Sequence, residues 1–280
     1  MTFTIWMLVI ILEVSAVTST HLRDDTAGRR SSRARRSVYD GAYFVYDSSS
    51  VTYPRDCAEV YDKCNMETSG VFLIQPDDAD EPFIVYCNNS IDGGKWTVFQ
   101  RRTDGSVEFY RSWNEYKNGF GFLQREFWLG NDKISLLTNQ KDYELRIDIT
   151  VDDGTPYYAK YTLFRISDEL SKYRLVSIGG FDTSTVVHDR LSNHLNHSFT
   201  TYDSDNDNNI NGNSAVFCRG AWWYSGDCKV VDNDLSNLNG MYFPGSSGFM
   251  SIYWDDIDGG SDHQINLKYV EMKIRPRATP

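Results

Sequence analysis

Apolar and polar residues alternate in several short stretches of the chain, and this alternation predicts β-strands. The clearest case is residues 143–149, where every second residue is apolar, as in a strand with one buried face. Residues 96–100, 158–166 and 270–274 have similar compositions, and Pro276 should end the last of these strands. The chain should therefore contain many short strands.

Few helices are expected beside them. Short helices are predicted at residues 132–138 and 168–173, because each stretch follows a residue typical of helix N-caps. From about residue 203 to residue 262 the chain is rich in Asn, Asp, Gly and Ser, with Trp and Tyr between them. This composition predicts a long region of loops, which a bound ion and a disulfide could order.

The first residues predict a secretory signal peptide. Residues 5–12 form an uninterrupted apolar run, which is too short for a bilayer-spanning helix of about 20 residues. Small residues follow at 14–16, although no Lys or Arg precedes the run. The alternative is an N-terminal core strand. We expect residues 1–16 to be removed and the protein to be secreted, extracellular and soluble, because no other stretch approaches membrane length.

A second processing signal follows in residues 29–36, which are rich in arginine. Residues 33–36 have the R-x-R-R form that secretory proprotein convertases cut, since their acidic subsites pair with guanidinium groups. The alternative is a solvated basic linker that is disordered because its arginine side chains repel one another. Residues 17–52 are therefore predicted to be a propeptide or linker, with cleavage after Arg36.

The composition limits the classes of function. A formal net charge of −11, from 28 basic and 39 acidic residues, argues against nucleic acid or an anionic membrane as the partner. Motifs of the G-x-S-x-G, H-E-x-x-H, P-loop and G-x-G-x-x-G types are missing from the sequence. We therefore expect a non-enzymatic recognition protein.

The odd number of cysteines predicts at least one thiol outside intrachain disulfides. In a secreted chain, cysteines should be oxidised wherever geometry permits. The five cysteines are Cys57, Cys64, Cys87, Cys218 and Cys228. One of them should be free or paired with another chain. Two sequons predict N-glycosylation at Asn88 and Asn196.

The sequence resembles the fibrinogen C-terminal domain through a series of motifs in the order found in that family. They are GGKWTVFQRR at 93–102, YKNGFG at 116–121, EFWLGN at 126–131, GAWWY at 220–224, SNLNG at 236–240 and EMKIRP at 271–276. The resemblance covers residues 53–277. It implies an α+β domain with a twisted, mainly antiparallel central sheet, short helices and a loop-rich calcium- and ligand-binding subdomain. Ficolins, tachylectins and angiopoietins share this domain.

An acidic loop at residues 203–212 is the strongest candidate site, because it places three carboxylates at every second residue. Such a loop alone is more often a solvated turn, but its oxygens could also converge on Ca²⁺. In the fibrinogen-like family this segment binds calcium. The resemblance implies Asp205 and Asp207 as side-chain ligands, with carbonyl oxygens near Asn209 and Asn211.

The family's recognition pocket is implied next to this loop, and here the sequence departs from the lectin-type members. Cys218 stands where they have an aromatic residue, Ser214 where they have the first cysteine of a bridge, and Lys229 where they have histidine. These departures make specificity for acetyl groups doubtful. The ligand-binding candidates are Cys218, Trp223, Tyr224, Cys228, Lys229, Phe249 and Tyr253. For Trp222 and Trp223 the alternative is a place in the core.

The resemblance also implies two disulfides, Cys57–Cys87 and Cys218–Cys228. Cys64 is then the unpaired cysteine. It would either be a buried, inert thiol or link two copies of the chain as a disulfide-bonded homodimer.

Three functions agree with the sequence. The first is a secreted calcium-dependent lectin that binds glycans or acetylated groups in innate defence. The second is a signalling ligand that uses the same loops to bind a cell-surface receptor. The third is an adhesion or matrix protein in which the domain assembles with others.

Overall fold

The computed structural model describes residues 36–39, 42–45, 52–182, 185–226, 236–243, 248–259 and 265–277. The chain forms two units, residues 1–51 and residues 52–280. In the first unit, strands β1 (Arg36–Tyr39) and β2 (Ala42–Val45) pair as an antiparallel hairpin. This hairpin lies within the segment predicted to be a linker. The predicted signal peptide and residues 33–35 of the cleavage motif lie outside the described residues, and Arg36 begins β1.

The second unit contains many short strands. They are β3 (Gly70–Ile74), β4 (Phe83–Asn88), β5 (Trp96–Arg102), β6 (Phe120–Gly121), β7 (Phe127–Trp128), β8 (Tyr143–Val151), β9 (Pro156–Tyr161), β10 (Arg165–Ile166), β11 (Leu175–Ser177), β12 (Ser236–Asn237), β13 (Tyr253–Trp254) and β14 (Ile265–Pro276). The helices are α1 (Cys57–Cys64), α2 (Trp113–Asn118), α3 (Asn131–Gln140) and α4 (Ser214–Phe217), with a 3₁₀ turn at Ser192–His194.

Strand β14 is the centre of the main sheet. It pairs antiparallel with β5 on one side and β8 on the other, so that Met272 lies opposite both Gln100 and Ile147. The sheet continues from β5 through β4 to β3, and from β8 to β9. At its N-terminal end β14 also pairs with β13, which pairs with β12. The predicted α+β fold with a mainly antiparallel sheet is confirmed.

The alternating pattern in the sequence corresponds to the two faces of β8. Leu145, Ile147 and Ile149 are buried in the core, and the residues between them are half-buried. Helix α3 adds Ile134 and Leu137 to the same core. Burial of these side chains supplies the main stabilising free energy of the unit. The strands predicted at residues 143–149, 96–100 and 270–274, and the end of the last one at Pro276, are confirmed.

The prediction of one continuous strand at residues 158–166 is wrong. The structure divides it into β9 and β10, because the backbone between them bonds to another segment. The amide of Thr162 donates to the carbonyl oxygen of Gly180, and that of Leu163 donates to Ile178. Alternation of residue types cannot reveal this change of partner.

Of the two predicted helices, the structure contains the first. Helix α3 spans the predicted residues 132–138. Residues 168–173 instead form a turn, in which Lys172 and Tyr173 have φ of 59° and 45°. The Asp168 carboxylate accepts from the amide of Ser171, and the Asp168 carbonyl oxygen accepts from that of Tyr173. Left-handed residues cannot continue an α-helix, so the prediction is wrong here.

A disulfide joins α1 to β4 through Cys57 and Cys87, as expected. Cys64, at the other end of α1, is a partly exposed free thiol. Among the helices of the described residues, none is long and apolar enough to cross a membrane.

Candidate ligand-binding surface beside the acidic loop

The acidic loop, residues 203–212, is folded by hydrogen bonds from its own side chains. The two carboxylate oxygens of Asp207 accept from the amides of Asn209 and Ser214, each at 2.8 Å. The side-chain amide of Asn206 donates to the Phe199 carbonyl oxygen at 3.0 Å. Next to the loop, Asn213 donates to the Thr201 carbonyl oxygen at 2.9 Å. Side chains of Asx type thus fix the backbone of the loop.

The three aspartates of the acidic loop have different roles. Asp203 accepts from the amide of Trp113 at 2.8 Å and from the hydroxyl of Thr201 at 2.7 Å, so its carboxylate binds protein. Burial raises the pKa of Asp207, and the nearby negative charge of Asp205 raises it further against the opposing backbone hydrogen bonds. A cation between Asp205 and Asp207 would relieve both effects.

The donor set suits a hard cation only in part. In the described segments no group of three or more His, Cys, Asp or Glu side chains has the geometry of a metal site. Calcium bound by Asp205 and Asp207 would therefore need backbone carbonyl oxygens and water to complete its six to eight ligands. Asn209 is half-buried and Asn211 is exposed within the same loop, where both carbonyl groups are close in sequence to the carboxylates.

Asn237 connects three of the segments that contain predicted ligand-binding residues. Its amide nitrogen donates to the carbonyl oxygens of Cys218 and Phe249, at 3.2 and 3.3 Å. Its amide oxygen accepts from the hydroxyl of Tyr224 at 3.2 Å. Asn237 itself is fully buried. Sequence reasoning missed this residue, although it lies in the SNLNG motif at 236–240.

These segments pack too closely for side chains at two glycines. A Cβ atom at Gly220 would lie 2.8 Å from the carbonyl oxygen of Asn239. One at Gly240 would lie 2.3 Å from that of Ser251. Both distances are shorter than van der Waals contact, so glycine is required for the close approach of the backbones.

Trp223 belongs to the core and not to an exposed pocket wall. Its indole is fully buried, with its ring centre 5.3 Å from that of Phe199 and 4.9 Å from that of Trp222. Its Nε1 atom donates to the carbonyl oxygen of Tyr173 at 2.6 Å. Trp222 is also fully buried. Both tryptophans therefore lie in the core, which was the alternative to a place in the ligand pocket.

The other predicted ligand-binding residues differ in exposure. Cys218, Tyr224 and Tyr253 are buried, so their side chains are not accessible to a ligand in this structure. Phe249 is half-buried, and the neighbouring Met250 is exposed. Cys218 is disulfide-bonded. Its expected partner Cys228, and Lys229, lie outside the described residues.

A buried histidine supports the same segments. The Nδ1 atom of His194 lies 2.9 Å from the carbonyl oxygen of Trp223, and the amide of Ser236 donates to Nε2 at 3.2 Å. Burial lowers the pKa of His194 to about 4, so the imidazole is neutral at physiological pH. Nothing in the spacing of the five histidines indicated this role.

The two sequons lie in different environments. Asn196 is exposed, in a left-handed turn with φ of 68°. Asn88 is half-buried, and its amide nitrogen donates to the Glu271 carboxylate at 2.8 Å. Lys273 and Arg101 also pair with this carboxylate and, against the effect of its burial, hold its pKa well below the usual range. A glycan is therefore more easily accommodated at Asn196, and glycosylation of either residue stays a prediction.

Comparison with known proteins places the chain among fibrinogen-related proteins. Residues 53–277 match the family described as "Fibrinogen beta and gamma chains, C-terminal globular domain". The chain is 46% identical over 235 residues to "Fibrinogen-like protein A" of Apostichopus parvimensis, covering 82% of this chain and 78% of that protein. It is 41% identical to "Fibrinogen C domain-containing protein 1-A" of Xenopus laevis, over 80% of this chain and 48% of that protein.

Solved structures show the same fold. The fibrinogen-like globe domain of human ANGPTL2 is similar with a TM-score of 0.71 and 36% identity, covering 80% of this chain and 100% of that one. Lamprey fibrin D-dimer, in complex with the peptide Gly-His-Arg-Pro-amide, is similar with a TM-score of 0.65 and 33% identity, covering 82% of this chain and 76% of that one.

Proposed function

This chain belongs to the family of fibrinogen C-terminal globular domains, and from that membership we propose that it is a secreted lectin. Domains of this family generally bind ligands and do not catalyse reactions. The ligand-binding surface would consist of the Cys218, Tyr224 and Phe249 segments together with the acidic loop. Its ligands would be glycans or acetylated groups at a cell surface, and its setting innate defence.

The observation that supports this proposal most directly is the hydrogen bonding of Asn237. One buried amide holds the carbonyl oxygens of Cys218 and Phe249 and the hydroxyl of Tyr224. Binding sites for small ligands combine apolar walls with a few fixed polar groups. The half-buried Phe249 and the exposed Met250 could offer apolar contacts in the segment that Asn237 holds.

Calcium is the cofactor of the proposed site. Asp205 and Asp207 would supply carboxylate ligands, and the backbone carbonyls of Asn209 and Asn211 would add neutral oxygens. The raised pKa of Asp207, caused first by burial and then by Asp205, supports this placement. A bound ion would hold the acidic loop beside the ligand-binding segments.

The experiment is a glycan array probed with the secreted full-length chain, with and without a calcium chelator. We expect binding to a limited set of glycans, reduced by the chelator. The Asn237→Ala variant should lose binding, whereas Asn114→Ala should keep it, because Asn114 is exposed on α2. A wild-type chain that binds none of the glycans would contradict the lectin proposal.

A receptor-binding role is the second candidate. The observation that favours it is the similarity to lamprey fibrin D-dimer, which was solved with the peptide ligand Gly-His-Arg-Pro-amide. The two roles differ in the chemistry of the ligand. Binding to cells that survives enzymatic removal of their surface glycans, together with an empty glycan array, would favour a protein receptor or an adhesion role.

A disulfide-linked homodimer through Cys64 is proposed as the assembled form. Cys64 is a partly exposed free thiol at the C-terminal end of α1. Two linked copies would bind a glycan surface more strongly than one, because the second binding event becomes intramolecular.

A further inference from the structure

Arg219 lies two residues after the end of α4, at the surface between the buried residues Cys218 and Gly220. Its side chain is exposed, while the preceding Cys218 is fully buried. Its backbone has φ of 50°, in the left-handed region that residues other than glycine seldom adopt. Such conformations persist only where the surrounding structure holds them, and they are frequent at functional sites.

The surrounding structure holds this backbone on both sides. Before Arg219, the carbonyl oxygen of Cys218 accepts from the Asn237 amide at 3.2 Å. After it, the carbonyl oxygen of Ala221 accepts from the Asn239 amide at 3.0 Å. The direction in which the Arg219 side chain leaves the surface is therefore fixed before a ligand binds, which reduces the entropy lost on binding.

One tyrosine lies beside the guanidinium group, and a second tyrosine packs against the first. The Arg219 guanidinium is 5.2 Å from the ring centre of Tyr110. The ring of Tyr110 is 4.9 Å from that of Tyr202, which is 39% exposed. An arginine on an aromatic face keeps its N–H groups directed outward in the plane of the guanidinium.

Arg219 differs in its charge partners from Arg111 and Arg165, which are half-buried. Arg111 pairs with Glu115 at 2.6 Å and Arg165 pairs with Asp142 at 2.8 Å. The ring of Tyr110 is the contact that the guanidinium of Arg219 makes within the described residues, where no carboxylate lies within ion-pair distance of it. Among the described residues, the exposed guanidinium of Arg219 is therefore available to an anionic ligand.

We propose that Arg219, with Tyr110 and Tyr202, binds an anionic group of a glycan, either a carboxylate or a sulfate. The inference rests on the proposed lectin function and names the class of ligand. A guanidinium can donate two parallel hydrogen bonds to a carboxylate or to a sulfate. The tyrosine rings offer apolar faces for the sugar that carries the anion. Because the net charge of the chain is −11, such an anion would be bound by local contacts with this guanidinium and not by the overall charge.

The test compares lactose, sialyllactose and lactose sulfate, each presented at the same density on a surface. Wild-type protein should bind one or both anionic sugars more strongly than lactose, and the stronger of the two identifies carboxylate or sulfate as the recognised group. Arg219→Gln should weaken that binding by about tenfold or more, as expected for a hydrogen bond to a charged group. Arg125→Gln is the matched control, since it removes another exposed arginine without an ion pair among the described residues and should not change binding.

The possible outcomes separate the two proposals. Equal binding of all three sugars, or unchanged binding by a folded Arg219→Gln variant, would overturn the assignment of Arg219 and leave the lectin function in place. Failure of the wild-type chain to bind these sugars and every glycan of a broad array would overturn both. The melting temperature of each variant shows whether it has folded.

Discussion

The Nε2 atom of His194 accepts a hydrogen bond from the main-chain N–H of Ser236, with the two nitrogens 3.2 Å apart. Only an unprotonated nitrogen can accept, so the proton of the neutral ring is on Nδ1, which lies 2.9 Å from the carbonyl oxygen of Trp223. The ring thus joins β12, which contains Asn237, to the GAWWY segment. Protonation would break the bond to Ser236 and place a charge in the core.

We therefore expect stability to fall in acid. The ordinary pKa of histidine is 6.5, and burial lowers that of His194 to about 4 in the folded state. Between these values the unfolded chain binds a proton that the folded chain does not. The stability that depends on a neutral His194 is therefore fully present above pH 6.5. It is lost as the pH falls towards 4, by about 3 kcal/mol in all.

Urea denaturation of the wild type and of His194→Gln between pH 4 and 7.5 measures this loss. The variant should be less stable at pH 7.5 and should show a smaller decrease between pH 6.5 and 4. His188→Gln is the control, because His188 is exposed and its ring faces the Asp256 carboxylate and not the Ser236 amide. Parallel pH curves for the wild type and His194→Gln would contradict the assignment.

Calcium should stabilise the folded chain. A ligand that binds only the folded state adds about 2.7 kcal/mol at a concentration one hundred times its Kd. The melting temperature should rise with added calcium in the wild type, and the rise should vanish in an Asp205→Asn, Asp207→Asn double variant. Asp153→Asn, at an exposed turn, should respond as the wild type does. A wild-type melting temperature that a chelator leaves unchanged would count against the site.

Removal of the Asn237 side chain should destabilise the ligand-binding surface. Asn237→Ala leaves the carbonyl oxygens of Cys218 and Phe249 and the hydroxyl of Tyr224 without this partner. A buried polar group left unsatisfied costs about 1–3 kcal/mol, so the free energy of unfolding should fall by at least that amount. Urea denaturation measures it, with Asn114→Ala as the control. A loss of less than 0.5 kcal/mol, on the order of a neutral surface substitution, would show that other groups replace the amide.

Strands with one buried face, such as β8, were predictable from the sequence. Their apolar and polar residues alternate within one short segment, so the pattern can be seen without knowing the rest of the fold. The helix expected at residues 168–173 fails for a reason outside that segment. The hydroxyl of Tyr173 donates to Asp132, and its carbonyl oxygen accepts from Trp223. These partners are 41 and 50 residues away in the chain and hold a turn that local propensity does not indicate.

The candidate site shows the same limit. The acidic loop is visible in the sequence because its aspartates are close together along the chain. Asn237 bonds to residues 19 and 12 positions away, so its role depends on the folded arrangement of three loops. Arg219 lies in none of the motifs that the sequence shows. Its contact with Tyr110 joins residues far apart in the chain, so only the folded structure reveals it.

Cys64 provides the test of assembly. The Cys57–Cys87 disulfide exists and Cys218 is also disulfide-bonded, which leaves Cys64 as the free thiol of the described residues. It is partly exposed at the end of α1, and in an oxidising compartment an accessible thiol seldom stays reduced. We therefore expect secreted protein to migrate as a dimer in electrophoresis without reductant, and Cys64→Ser to migrate as a monomer.

The Cys64→Ser variant should keep the wild-type melting temperature within about 2 °C, because replacing a partly exposed thiol changes stability little. It should bind a glycan surface more weakly, since avidity is lost while each site is unchanged. A wild-type monomer with one titratable thiol after unfolding would instead assign Cys64 as an inert cysteine.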